Sequence, residues 1–469
     1  SSASRLLSRG SAPRAPAMEV RPAFAGPARG SPRAALARGR QDVRELTRSI
    51  VELGRRRQWQ EALHVLREAR RQHVAPDVVM YGAAISACQK GKRWEPALQL
   101  LSDALECSLA PNVVVYNVAM AACEKGGMWP WALQLLSDLE GQHLQPDHIT
   151  YSTAISACAS RGRWDLALDL LSDKQRRGLQ LDKITCSTAI SACEKGGRWD
   201  LALLLLDKAK SSAVTPDRIM YNSVISACEK GLQWEMALGV LSEMESQLVT
   251  PDRVSYNAAM SACEKGGRWL VAVLLLVDAQ RRKLVPDRIT YSAAISACEK
   301  CGQWKPALAL LKEAQQSLLR PDVIMYSASI SACEKDRQWD LALTLLSTAV
   351  QRGLEPDSVA CNAVTSACQK AGQWAESISL LGEVQRRRLH QDTGTYSAII
   401  SACENSEQWE MALHLWAEML HKGIIPDAVT CTAAISSCEK GAQWACALAL
   451  LGDAQQQGLE TDAVMLNAA

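Results

Sequence analysis

A lysine recurs along this chain with a period of 35 residues: Lys90, Lys125, Lys195, Lys230, Lys265, Lys300, Lys335, Lys370 and Lys440. Arg55 keeps the charge in the same register, and Ser160 and Asn405 break the row. Eight residues before each of these places stands a short, mostly polar side chain: Thr47, Gly82, Asn117, Ser152, Ser187, Asn222, Asn257, Ser292, Ser327, Asn362, Ser397 and Thr432. A regular row of ammonium groups suits a phosphate backbone. A hydrogen-bonding group that changes identity once per period suits the reading of one base at a time. Two plainer readings stand beside this one. Lys follows Glu or Gln in most periods, so the row also fits a charge-balanced helix end, where Lys complements the dipole. The same face would also serve a scaffold that binds a protein segment.

Other chemistry finds little support. Of the seventeen cysteines, eleven (Cys88, Cys123, Cys158, Cys193, Cys228, Cys263, Cys298, Cys333, Cys368, Cys403, Cys438) share one place in the period. Stacked helices lie ~8–10 Å apart, whereas bridged cysteines need Cα atoms within ~7 Å, so small buried thiols are expected. One CxxC occurs, Cys298–Cys301, because Cys301 replaces a turn glycine, and neither a second pair nor a nearby His completes a zinc site. A zinc deaminase needs an H-x-E, and no His begins one; no Asp cluster outside the repeat frame suggests a nuclease. No catalytic residue, metal or cofactor is expected.

The elements that must position the two rows follow from the same period. Trp59, Trp94, Trp129, Trp164, Trp199, Trp234, Trp269, Trp304, Trp339, Trp374, Trp409 and Trp444 are spaced 35 apart without a slip, marking twelve units from Val43 to Asp462. Positions are numbered from the residue after Pro-Asp, so the second unit runs from Val78 to Asn112. Positions 1–13 predict a first helix: Asp77 is an N-cap, and Tyr81, Ala84, Ile85 and Cys88 form one apolar stripe. A glycine-containing turn follows (Gly91; Gly126-Gly127), and Trp94, Ala97, Leu98, Leu101 and Ala104 mark a second helix that Pro111 closes. Each hairpin is too small to bury its own stripe and is stabilised by stacking on its neighbours. The tryptophans are expected to pack between units. The fold class is an all-α solenoid.

The net charge of +2 hides an asymmetry: residues 1–40 carry eight Arg against Glu19 alone. Residues 1–42, Arg-, Ala- and Pro-rich and without periodicity, are expected to be unstructured, with the composition of an organelle transit peptide. No apolar run approaches the ~18 residues of a membrane span. Residues 463–469 read as the start of a thirteenth unit, and a further domain beyond them is an open expectation.

The frame PD-[VIR]-[VI]-x-Y-[NS]-x-x-I-S-A-C-E-K-G-x-x-W-x-x-A-L-x-L-L resembles the pentatricopeptide repeat, with the tandem arrangement of its P class, from Val43 to Asp462. The tetratricopeptide signature W-x2-L-G-x2-Y is absent. The resemblance implies a right-handed superhelix of 35-residue helix-turn-helix repeats whose first helices line a groove for single-stranded RNA, 5′ to 3′ from the N-terminus. It implies organellar RNA metabolism (processing, stabilisation, splicing or translation) in chloroplast or mitochondrion, with about one base per repeat and recruited processing proteins as further partners.

Positions 5 and 35 would together select the base, with an aliphatic position 2 wedged between bases: Val79, Val114, Ile149, Ile184, Ile219, Val254, Ile289, Ile324, Val359 and Val429. Arg44 and Gly394 depart from that pattern. The lysine row would face phosphates. Asn117 with Asp147, Asn222 with Asp252, Asn257 with Asp287 and Asn362 with Asp392 would favour U. Thr47 with Asp77, Thr432 with Asp462, Ser152 with Asp182, Ser187 with Asp217, Ser292 with Asp322, Ser327 with Asp357 and Ser397 with Asp427 would favour G. Gly82 with Asn112 fits no rule. The implied target resembles 5′-G-N-U-G-G-U-U-G-G-U-G-G-3′, a G/U-rich strand.

Overall fold

The computed structural model describes residues 32–456 apart from 73, 318 and 387–392. Asp392, Asp462, the first 31 residues and the start of a thirteenth unit therefore lie outside the described residues. Among the described residues there are twenty-four helices and no strand, paired into twelve hairpins. Second helices begin on the repeated tryptophan: Val78–Lys90 is followed by Trp94–Glu106, and Arg288–Lys300 by Trp304–Gln316. The first helix of unit 1 runs Pro32–Arg55 and so starts before Val43, where the period begins.

Local chemistry sets these boundaries. The Asp77 side chain accepts the Met80 N–H at 2.8 Å, and Asp147, Asp217, Asp252, Asp287, Asp322, Asp357 and Asp427 cap their helices likewise. The first helix ends by reversing hand. Position 15 has positive φ in every unit: glycine at Gly127 and Gly197, but Lys92, Leu232 and Arg337 elsewhere. The next N–H then reaches back to the cysteine carbonyl, as Arg93 does to Cys88 and Gln233 to Cys228, closing the terminus in the Schellman manner.

The chain forms two compact units, Ser1–Thr250 and Pro251–Ala469. Within each, first helices pack on first helices of neighbouring repeats. Position 4 is a buried tyrosine in eight of the twelve units, and in several of these its hydroxyl donates to a carboxylate on the second helix of the same hairpin: Tyr151 to Asp173 at 2.7 Å, Tyr256 to Asp278 at 2.5 Å. Several of the tryptophans pack on the next repeat, while Trp444 is exposed. Trp59 lies over Gly91 of the next repeat, where an added Cβ would sit 2.6 Å from its Cδ1, and Trp199 covers Gly231 more closely still.

The cysteine column fills the core as free thiols. Burial pushes Cys228 up to about 11 and Cys123 up to about 12, so neither supplies the thiolate that reacts. Cys107 is exposed and Cys301 and Cys446 are partly so. Alkylation of the native protein at pH 8 should therefore label those three, and the remaining thiols only after denaturation; peptide mass mapping checks this.

Candidate nucleic-acid interface

Ten branched aliphatic side chains at position 2 stand on the surface, from 56% exposed at Val254 to 66% at Ile184. Their helices bury positions 3, 4, 7, 8, 10 and 11, as Met220, Tyr221, Val224, Ile225, Ala227 and Cys228 illustrate, so position 2 faces away from the core. Position 5 lies one turn along the same side. At the first unit Thr47, Asp77 and Val79 line a single depression together with Arg44 and Arg48. At this unit positions 5 and 35 thus meet position 2 of the next, and the arginine that departs from the aliphatic rule lines that depression.

Positions 5 and 35 also touch one another. Asn117 Nδ2 donates to Asp147 Oδ1 at 3.1 Å and Asn257 Nδ2 to Asp287 Oδ1 at 3.3 Å, and Ser327 Oγ, whose nearest acceptor is Val323 O of its own helix at 2.6 Å, lies 3.3 Å from Asp357. Thr47, Ser152 and Thr432 instead bond back to their own helices. Burial works against charge on Asp147 and Asp287, yet the backbone N–H of Thr150 or Thr290, with the neighbouring asparagine amide, holds both carboxyls below the usual range. They are acceptors only at neutral pH.

Sequence reasoning missed a third participant. The hydroxyls of Thr150, Thr290 and Thr395, at position 3 of the following unit, donate to Asn117, Asn257 and Asn362 Oδ1, each at 2.7 Å.

Eight of the nine lysines of the row fall into two groups. Lys230, Lys300, Lys335, Lys370 and Lys440 pair with Glu194, Glu264, Glu299, Glu334 and Glu404 of the preceding repeat, at 2.8–3.1 Å. Lys90, Lys125 and Lys195 follow repeats with Gly54, Gln89 and Ala159 at that place, and make no ion pair among the described residues. Two of the position-35 carboxylates are met from their own unit, Asp217 by Lys183 and Asp287 by Arg253, both at 3.1 Å.

Unit 4 departs from the others. Lys174 is fully buried at position 27, where the other units carry only Ala, Leu, Met or Val, and its ammonium contacts Asp182 and, at 2.7 Å, Thr185 Oγ1. Asp182 stands at the N-cap but makes no side-chain cap hydrogen bond. Burial opposes its ionisation, but Lys174 and Thr185 hold it below the usual carboxylate range.

Family models decide what this repeat is. The PPR repeat family matches 111–160, 146–195, 216–265 and 391–440; the pentatricopeptide repeat domain matches 64–126, 274–336 and 344–406; and the PPR repeat matches 184–214, so that most of the chain is covered. The chain belongs to the pentatricopeptide repeat family. No curated protein matches this pentatricopeptide repeat chain in sequence. Its fold is similar to that of the pentatricopeptide repeat protein PPR10 from maize, with 20% identity and a TM-score of 0.55 over 90% of this chain. The match takes in 65% of the maize chain, so this chain spans somewhat less than two thirds of it. PPR10 in complex with an 18-nt psaJ RNA element matches at 18% identity and TM-score 0.36, covering 91% of this chain and 81% of that one. The PPR domain of Arabidopsis thaliana protein-only RNase P 1 in complex with tRNA matches at 14% identity and TM-score 0.36, covering 39% and 97%.

Proposed function

We propose that this protein binds single-stranded RNA, reading about one base per repeat with positions 5 and 35 and separating neighbouring bases with position 2. The row of exposed aliphatic side chains beside the Asn–Asp and Ser–Asp pairs carries the reading. A row of branched apolar groups left in water has no packing purpose, whereas stacking against base faces would bury it.

The carboxylate supplies the preference. An ionised Asp only accepts, and on the Watson–Crick edge U offers its N3–H and G its N1–H. Adenine and cytosine present bare ring nitrogens at the same place. Both described kinds of pair therefore favour U or G, and the predicted target remains 5′-G-N-U-G-G-U-U-G-G-U-G-G-3′. PPR10, whose fold this chain shares, is known in complex with an RNA element, which supports the ligand class. The protein would act by occupancy in a chloroplast or mitochondrion, shielding a transcript, remodelling its folding or recruiting a processing protein.

Selection from a randomised single-stranded RNA pool tests the proposal. Enrichment of G and U is expected, with a salt slope of the kind phosphate contacts give. Enrichment of A- or C-rich strands would overturn the preference. Failure to retain any RNA would overturn the function and favour a protein ligand in the same face.

A further inference from the structure

The hydroxyl at position 3 is absent from the pair of positions read so far, yet it touches both. We infer that the Thr or Ser at position 3 of each following repeat determines specificity by fixing which edge of the preceding asparagine amide faces the RNA. The inference rests on the RNA-binding reading above and deepens it.

The geometry is the same wherever it is described. Thr290 Oγ1 takes the Asp287 N–H at 3.1 Å and lies 2.7 Å from Asn257 Oδ1, a nearer acceptor than Asp287 Oδ1 at 2.9 Å. Thr150 repeats the arrangement with Asn117 at 2.7 Å and Asp147 Oδ1 at 2.8 Å. The amide oxygen is thus held by a donor, and the amide nitrogen by an acceptor-only carboxylate. Its second N–H is the donor that remains. A donor there matches a carbonyl oxygen of uracil, while the adjacent carboxylate matches the uracil N3–H.

The sequence carries an independent trace of this coupling. All four units with Asn at position 5 are followed, 33 residues on, by a hydroxyl: Thr150, Ser255, Thr290 and Thr395. Where position 5 is Gly, Ser or Thr, that place is usually apolar, as at Met80, Val115, Met220 and Ala360. Thr185 and Thr430 are the exceptions, and Thr185 takes the Lys174 ammonium. A cap requirement alone would place hydroxyls without regard to the preceding position 5, because every unit needs a cap.

Thr290→Val keeps the shape and keeps the Asp287 cap, which uses the backbone N–H of residue 290. It removes the donor to Asn257 Oδ1. The amide oxygen then has no donor to hold it, so the amide is no longer fixed with its N–H toward the RNA and its discrimination of uracil from cytosine weakens. Val115 already occupies this place in unit 3.

The test measures affinities of the full chain and its variants for a fixed 12-nucleotide RNA carrying U or C at the seventh base. The wild type is expected to prefer U roughly tenfold, the size of one good base-edge contact. Thr290→Val should lower that ratio at least fivefold at the seventh base, with the third and tenth bases unaffected. Thr290→Ser, which keeps the hydroxyl, should retain it. An unchanged U:C ratio in Thr290→Val, or an equal loss in Thr290→Ser, would overturn the inference while leaving RNA reading in place. A wild type indifferent to all twelve bases would overturn both.

Discussion

Asp182→Ala should destabilise the protein by about 3 kcal/mol, whereas Lys174→Met should be neutral or stabilising. Removing one partner of a buried ion pair leaves an uncompensated charge and costs about 3–5 kcal/mol. The lower end applies because the Asp182 side chain keeps 36% of its exposure while Lys174 has none. Methionine instead restores what the repeat already accepts, since Met244 and Met419 fill the same place in units 6 and 11. Urea unfolding of both variants at pH 7 reads the difference. The pH dependence has a definite sign. A carboxyl whose folded value is depressed stabilises the fold above its unfolded value, about 3.9, and that contribution fades as pH falls through the folded value. The penalty of Asp182→Ala should therefore hold from pH 5 to 8 and shrink below about pH 4. Equal destabilisation by both variants would mean that Lys174 contributes through packing, not through its charge.

The second large effect concerns affinity. Lys90, Lys125 and Lys195 face no acidic residue on the preceding repeat, so their charge is available to phosphates. Replacing all three with Gln should weaken RNA binding roughly hundredfold near 0.1 M salt. It should also flatten the log–log salt slope by about 2, at ~0.7 per contact for a single strand. The loss should be uniform over RNA sequences, since phosphate contacts carry no base information. The paired lysines predict the opposite manipulation. Glu264→Gln, Glu299→Gln and Glu334→Gln together release Lys300, Lys335 and Lys370 and should raise affinity about tenfold. Filter binding across a salt series measures both; if neither triple variant alters the slope, the lysine row does not face the strand.

Within one repeat the sequence was legible because each feature there has a local cause. The 35-residue Trp spacing, the Asp77 type of cap, the Tyr81–Ile85–Cys88 stripe and the exposure of position 2 follow from helical period and capping chemistry alone. Between repeats it was not. Lys335 reads as the partner of Glu334 beside it, yet its ammonium lies 2.8 Å from Glu299 of the previous unit. That choice depends on how closely first helices stack, which periodicity does not state. Lys174 was passed over because a buried lysine resembles an exposed one until its neighbours are known. The Thr150–Asn117 bond had a readable signal in the co-occurrence 33 residues apart, visible once positions 5 and 3 are compared across units. The turns hid a further fact: left-handed backbone at Lys92, Leu232 and Arg337 belongs to residues that do not favour it, held there by the helix-closing hydrogen bonds.

The central claim is that position 5 and its Asp address one base each. Asn257→Ser tests it most directly, because Asn257 touches Asp287 and the substitution recreates the Ser–Asp pairing of unit 8. Selection from randomised RNA should then change preference at the seventh base alone, from U to G, with the other eleven bases and the salt slope as in the wild type. A preference that moved at several bases at once, or at none, would contradict the account.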